Sequence, residues 1–162
     1  MSQDANPERQ LLRHTLATLA YRGGKAVGGV SPEVAAFRAG ATSRTPAEIL
    51  SHVGDLLDWA VHLCRGEHVW KDSAPLPWEK EVARFFAGLE RLDGHLASPA
   101  PLGFAAEKIF QGPIADALAH VGQIALLRRL AGSPVRGENY FKAEITAGRV
   151  GPQQPAPRFE FD

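Results

Sequence analysis

The chain has 162 residues, 44% hydrophobic and 22% charged, and its eighteen lysines and arginines balance eighteen aspartates and glutamates. That composition describes one compact domain with a tail, excludes a fibre or a wholly disordered chain, and lacks the basic excess that binding to nucleic acid or anionic membranes requires. A chain of this size buries roughly two-thirds of its unfolded surface, enough for a core without metal or disulfide, so a bound metal would serve chemistry and not folding.

In chain order, the first predicted helix runs from residue 7 to about 21, with Leu12, Leu16 and Leu19 on one stripe and Gly23 and Gly24 as its stop. The connection from Arg22 to Arg44 holds Gly28, Gly29 and Gly40 around a short helix predicted over residues 32–37. Its length permits the helices on either side to run parallel. The second long helix has the clearest start: Thr45 as N-cap, Pro46 at the first helical position and Glu48 completing a capping box. It should end near Cys64, before Gly66. A third begins near Trp78, where Val82, Phe85, Phe86, Leu89, Leu92 and Leu96 recur at three- and four-residue spacing. Gly112 and Pro113 then open a fourth, over about residues 114–131, closed by Gly132 and Pro134.

The fourth helix is apolar nearly all round, which predicts that it is mostly buried. Four such helices can bury their stripes only against one another, so the predicted fold is all-α, a four-helix bundle over residues 1–132. Residues 133–162 are rich in Gly and Pro and are predicted as an irregular C-terminal extension. Tyr140, Phe141, Ile145, Phe159 and Phe161 would anchor it on the bundle or on a partner subunit, with disorder of the last ten residues as the competing reading.

Cys64 is the single cysteine, which excludes an intramolecular disulfide and a cysteine-built zinc site. It lies about 120° around its helix from His52, too far for a Cys/His nucleophile, and reads as a small packed thiol. The first nine residues lack a signal pattern and no long apolar run follows, so the expectation is a cytoplasmic protein, neither secreted nor membrane-spanning. No nucleophile elbow, P-loop or dinucleotide glycine motif occurs.

The six histidines sort by helix face. His14 and His95 fall off their apolar stripes and are expected at the surface, His68 lies in a loop, and His62 sits at the margin of its stripe. His52 shares an inward face with Leu56, Trp59 and Leu63. Asp116 and His120 are four apart, with Gln123 and Leu127 continuing the same face, so they project side by side and can grip one ion. The same spacing also suits a plain ion pair, and an inward histidine also suits a hydrogen-bonded core residue.

These residues carry a resemblance. His52 within Ile-Leu-Ser-His-Val-Gly-Asp-Leu-Leu-Asp-Trp-Ala, and Asp116-x-x-x-His120 followed by Val-Gly-Gln-Ile-Ala-Leu-Leu-Arg-Arg-Leu, resemble the DinB-like family of metal-binding four-helix proteins over roughly residues 7 to 132. Members of that family place one histidine on the second helix and a His-x-x-x-His pair on the last, together holding a divalent metal, and are commonly homodimers. Here Asp116 stands in the place of a histidine, giving two imidazoles and one carboxylate. That set is harder than three imidazoles and suits Fe(II), Mn(II), Ni(II) or Zn(II). The resemblance implies metal ligands at His52, Asp116 and His120, a pocket shaped by Trp59, Leu56 and Gln123, and a reaction of a small molecule with a low-molecular-weight thiol, as a transferase or isomerase. The alternative is a dimeric bundle that binds a small ligand or a protein partner without metal.

Overall fold

The computed structural model describes residues 6–161; residues 1–5 of the N-terminal stretch, where no signal pattern is expected, and Asp162 lie outside them. Its helices are α1 (Pro7–Val27), α2 (Pro32–Ala35), α3 (Pro46–Cys64), α4 (Trp78–Ala97), α5 (Ala106–Ile109) and α6 (Ala115–Leu130), with a π-helical turn at Phe110–Ile114 joining the last two. Two short strands, β1 (Gly137–Glu138) and β2 (Glu160–Phe161), pair antiparallel in the tail. The chain is all-α in class, and among the described residues no helix is long and apolar enough to cross a membrane.

The start of α3 forms for the reasons its sequence states. Thr45 Oγ1 accepts from Glu48 N at 3.1 Å while the Glu48 carboxylate accepts from Thr45 N at 2.7 Å, which closes the capping box. Helix α1 departs from expectation, because Gly23 and Gly24 do not stop it. Gly23 is buried against the Phe85 ring, so close that a Cβ there would sit 2.5 Å from Phe85 Cζ. A glycine at that position lets two helices approach, and packing overrides its poor helix propensity. The fourth helical segment also starts earlier than Gly112 and Pro113 suggest. Helical backbone begins at Ala106, and Pro113 is accommodated inside the π turn, where the hydrogen-bond ladder is already interrupted.

The contacts fix the directions of the long helices. Arg9 near the start of α1 donates to the carbonyls of Leu96 at 3.2 Å and Ser98 at 3.0 Å, at the end of α4, so these helices are antiparallel. Arg128 near the end of α6 donates to the carbonyls of Ala26 at 2.9 Å and Gly28 at 2.7 Å, at the end of α1, so α1 and α6 are parallel. Each arginine places positive charge on the carbonyl end of a neighbouring helix, where the dipole favours it. On α3 and α4, Arg84 meets Ser51 and Asp55 while Arg91 meets Asp58, a parallel register. The parallel pair of helices consecutive along the chain is therefore α3 and α4, whereas the helices flanking the long Arg22 to Arg44 connection, α1 and α3, run antiparallel.

Parallel neighbours demand a return path. Helix α3 is 19 residues long, so the segment over residues 65–77 must climb roughly 28 Å back along it. This strap is pinned where it passes α3 and reaches α4. The Asp55 carboxylate, 4% exposed, accepts from Ser73 N at 2.8 Å, Ser73 Oγ at 2.7 Å and Arg84 Nη2 at 2.5 Å. Further on, Leu76 N donates to the fully buried Glu81 at 2.9 Å. Burial pushes the Asp55 carboxyl up, but the bonds from Arg84 and Ser73 outweigh it and hold the group below the usual carboxylate range.

The core joins Leu12, Leu16 and Leu19 of α1 to Leu50, Val53 and Leu57 of α3, Phe85 and Leu89 of α4, and Ile124 of α6. Helix α6 is less buried than its composition suggests: Leu126 and Leu130 are more than half exposed. The tail is ordered on this core. Glu138, 5% exposed, accepts from Tyr21 Oη at 2.6 Å and pairs with Lys25 at 2.8 Å, and Val150 is buried. Phe141, by contrast, is exposed and anchors nothing. Cys64 is buried, and burial raises its thiol to about 11, which makes it an inert packed group.

Adjacent glycines on α1 should respond oppositely to alanine. Gly24→Ala meets only Phe86 Cζ at ordinary contact distance, 3.6 Å, and should stabilise by about 0.5–1 kcal/mol. Gly23→Ala collides with Phe85 and should destabilise by about 1–3 kcal/mol. Urea unfolding of both variants checks the pair. The strap gives a pH prediction: because the folded-state value of Asp55 is depressed, its stabilising contribution is complete above about pH 4 and is lost as pH falls through the folded value. Asp55→Asn should lower stability at neutral pH and flatten the acid limb, read from urea midpoints between pH 7 and pH 2.

Candidate metal centre

The centre is built where α3 and α6 cross antiparallel. The Thr45 capping box sets the phase of α3 and so the face on which His52 lies, and Asp116 and His120 follow the π turn on one face of α6. The structure brings these three residues together. Asp116 Oδ2 lies 3.6 Å from His52 Nε2, and Asp116 Oδ1 lies 3.2 Å from His120 Nδ1. The imidazole rings of His52 and His120 are 4.7 Å apart at their centroids. One donor atom from each of the three residues falls within 4.8 Å of the others, so the cluster could hold a metal ion.

The details of the donors fit that role. His120 Nδ1 is 2.8 Å from the Asp116 carbonyl oxygen, which only accepts, so this nitrogen carries the proton and Nε2 keeps its lone pair. A second ring nitrogen tied to a backbone carbonyl is the usual way a ligating histidine is oriented. Burial, then the electrostatic influence of the neighbouring His120 and of Arg44, push the His52 imidazole below its ordinary value against the pull of Asp116. The neutral, ligating form is therefore favoured. Asp116 is 46% exposed against 21% and 13% for the side chains of His52 and His120, so the carboxylate stays hydrated and reachable while the imidazoles are sheltered. Two ligands each about 2.1 Å from one ion can be at most about 4.2 Å apart, so the widest pair closes by a small side-chain rotation.

A pocket of about 540 Å³ opens on both imidazoles, and Gln123 also lines it. Leu56 is buried at 2% exposure and Trp59 packs on Gly112; neither lines this pocket. Trp59 reaches the centre indirectly. Its ring meets the Trp70 ring edge to face at 5.7 Å, and Trp70 in turn meets His52 at 5.6 Å. Trp70 belongs to the strap, where its Nε1 donates to Asp72 at 3.2 Å. The helical pattern could not reveal it, nor Ser43 and Arg44, which line the pocket from the loop before α3. Aromatic residues in a loop beside an inward histidine were the one available signal.

The remaining histidines divide as follows. His14 is exposed, His62 bonds Glu67 at 2.6 Å, and His68 meets Trp59 edge to face. His95 is not a free surface group: its Nε2 is shut away from solvent with no hydrogen-bond partner among the described residues. Searches against protein-family models, curated proteins and solved structures found no match to this chain.

Proposed function

We propose that the chain is a DinB-like four-helix protein that binds one divalent metal through His52, Asp116 and His120, and that it uses the ion in a transfer or isomerisation reaction between a small electrophile and a low-molecular-weight thiol. One observation carries the reading: two sheltered imidazoles, with the Asp116 carboxylate against both, open on a pocket large enough for a small molecule. Two imidazoles and one carboxylate suit Fe(II), Mn(II), Ni(II) or Zn(II) and leave coordination positions for water or substrate. When bound, the ion would lower the pKa of water or of a thiol and so supply a nucleophile near neutral pH.

The chain's own residues would do the rest. His120, with its Nδ1 proton on the Asp116 carbonyl, keeps its ring in one orientation. Asp116 lowers the charge of the centre by one. Trp70 closes the side of His52 that faces the strap and restricts water there. Gln123 offers a carboxamide to a substrate in the pocket. The reading includes a cytoplasmic homodimer. The α1 stripe is consumed by the core, so its support is the exposed groove of Leu11 and Phe110, with the exposed Phe141, Phe159 and Phe161 of the tail. The second reading, a pocket that binds a small ligand without metal, is favoured by one fact: Asp116 lies within ion-pair distance of both histidines, so the cluster can satisfy itself.

Calorimetric titration with Zn(II), Ni(II), Mn(II) and Fe(II) separates the two. The metal reading expects one ion per chain for at least one of them, with affinity reduced more than about 100-fold by His52→Ala or by His120→Ala and with unchanged circular dichroism. A folded chain that takes none of the four would establish the second reading. Light scattering at micromolar concentration should give twice the chain mass, and a monomer there would count against the dimer.

A further inference from the structure

The pocket has a one-sided polar lining. Its polar side chains are those of Ser43, Arg44, Gln123 and the two histidines; the lining itself holds no carboxylate, and Asp116 stands against both imidazoles. Arg44 is exposed, and among the described residues it makes neither an ion pair nor a hydrogen bond. That sets it apart from the arginine beside it in the same loop: Arg38 is tied to Glu48 at 2.9 Å and to the Ser43 carbonyl. The Ser43 hydroxyl oxygen accepts from Ala39 N at 3.0 Å and Gly40 N at 3.2 Å, which leaves its proton to donate. The rest of the lining is hydrocarbon, from Ile49, Leu126 and Leu127. Leu126 is 56% exposed, so it offers apolar surface to the pocket. A cavity with a free guanidinium, further hydrogen-bond donors and apolar side chains in its lining selects an anion with an apolar body.

We infer that the pocket binds a small monocarboxylate with a hydrocarbon chain: Arg44 holds the carboxylate, with the Ser43 hydroxyl and Gln123 carboxamide beside it, and the chain lies on Ile49, Leu126 and Leu127. This deepens the proposed metal site and rests on it only for what the free end of the ligand meets, at His52 and His120. Arg44 is in this view a specificity-determining residue. Arg44 also borders a second, polar cavity of about 330 Å³ that shares Ser43 and His52 with the first.

The test compares hexanoate with 1-hexanol, which share a chain and differ in charge, by NMR titration of the full-length chain at pH 8, once metal-free and once with one equivalent of zinc. Hexanoate should bind about tenfold or more tightly than hexanol in both preparations. Arg44→Gln should abolish that preference in both, and Arg44→Lys should retain part of it. Arg44 is exposed, so the thermal midpoint of each Arg44 variant should equal that of the parent. Equal binding of the two probes, binding of neither, or a preference that survives Arg44→Gln overturns the inference. A preference confined to the zinc-loaded chain and indifferent to Arg44 also overturns it, because the metal would then be the anchor, and the metal reading would stand. A chain that binds no zinc but loses its preference with Arg44→Gln keeps the anchor and removes the metal.

Discussion

The arrangement depends on one buried carboxylate. Asp55 sits on α3 with almost no access to water, and a charge in that position must be met by partners or it costs several kcal/mol. Its partners come from two other segments: Arg84 on α4 and both donors of Ser73 on the strap. Meeting the demand therefore fixes the parallel register of α3 and α4 and the course of residues 65–77 at once. Trp70 lies three residues before Ser73, so the same bonds set the ring that covers His52. The pair contributes less to gross stability than the core does, but it chooses which of several helix arrangements is satisfied.

Much of the helical framework was legible because its signals are local. Thr45, Pro46 and Glu48 announce a capping box whatever else the chain does, and the α4 stripe from Val82 to Leu96 has one periodicity. The failures occur where a distant residue decides. Gly23 reads as a stop until Phe85 is placed against it. Gly112 and Pro113 read as a beginning, yet a π turn tolerates both and the helical backbone starts six residues before Gly112. The return path through residues 65–77 follows from the parallel register of α3 and α4, and that register rests on ion pairs that no periodicity encodes.

The site divides along the same line. His52, Asp116 and His120 could be named because helix phase aims side chains, and two antiparallel helices bring equal heights together. Leu56 shares that phase and was drawn into the pocket reading with them, but one turn along the same face already lies inside the core. Arg44, Ser43 and Trp70 come from loops, where position in the sequence says nothing about direction. Their contribution emerges only when the connection before α3 and the strap after it are folded back over His52.

The π turn at Phe110–Ile114 gives the site a phase of its own. Such a turn carries one residue more than the α turn it replaces, and one residue rotates everything beyond it by about 100° around the helix axis. The segment before the turn is set by Ala106 and Ile109 in the core, and the segment after it by Ile114, Ala117 and Ile124. Asp116 and His120 thus face His52 because of a single supernumerary residue upstream of them. A chain one residue shorter at this turn could keep a continuous helix and its composition while turning Asp116 and His120 away from α3. The length of this turn, more than the presence of an aspartate and a histidine, is what a related chain would have to share in order to have the same centre.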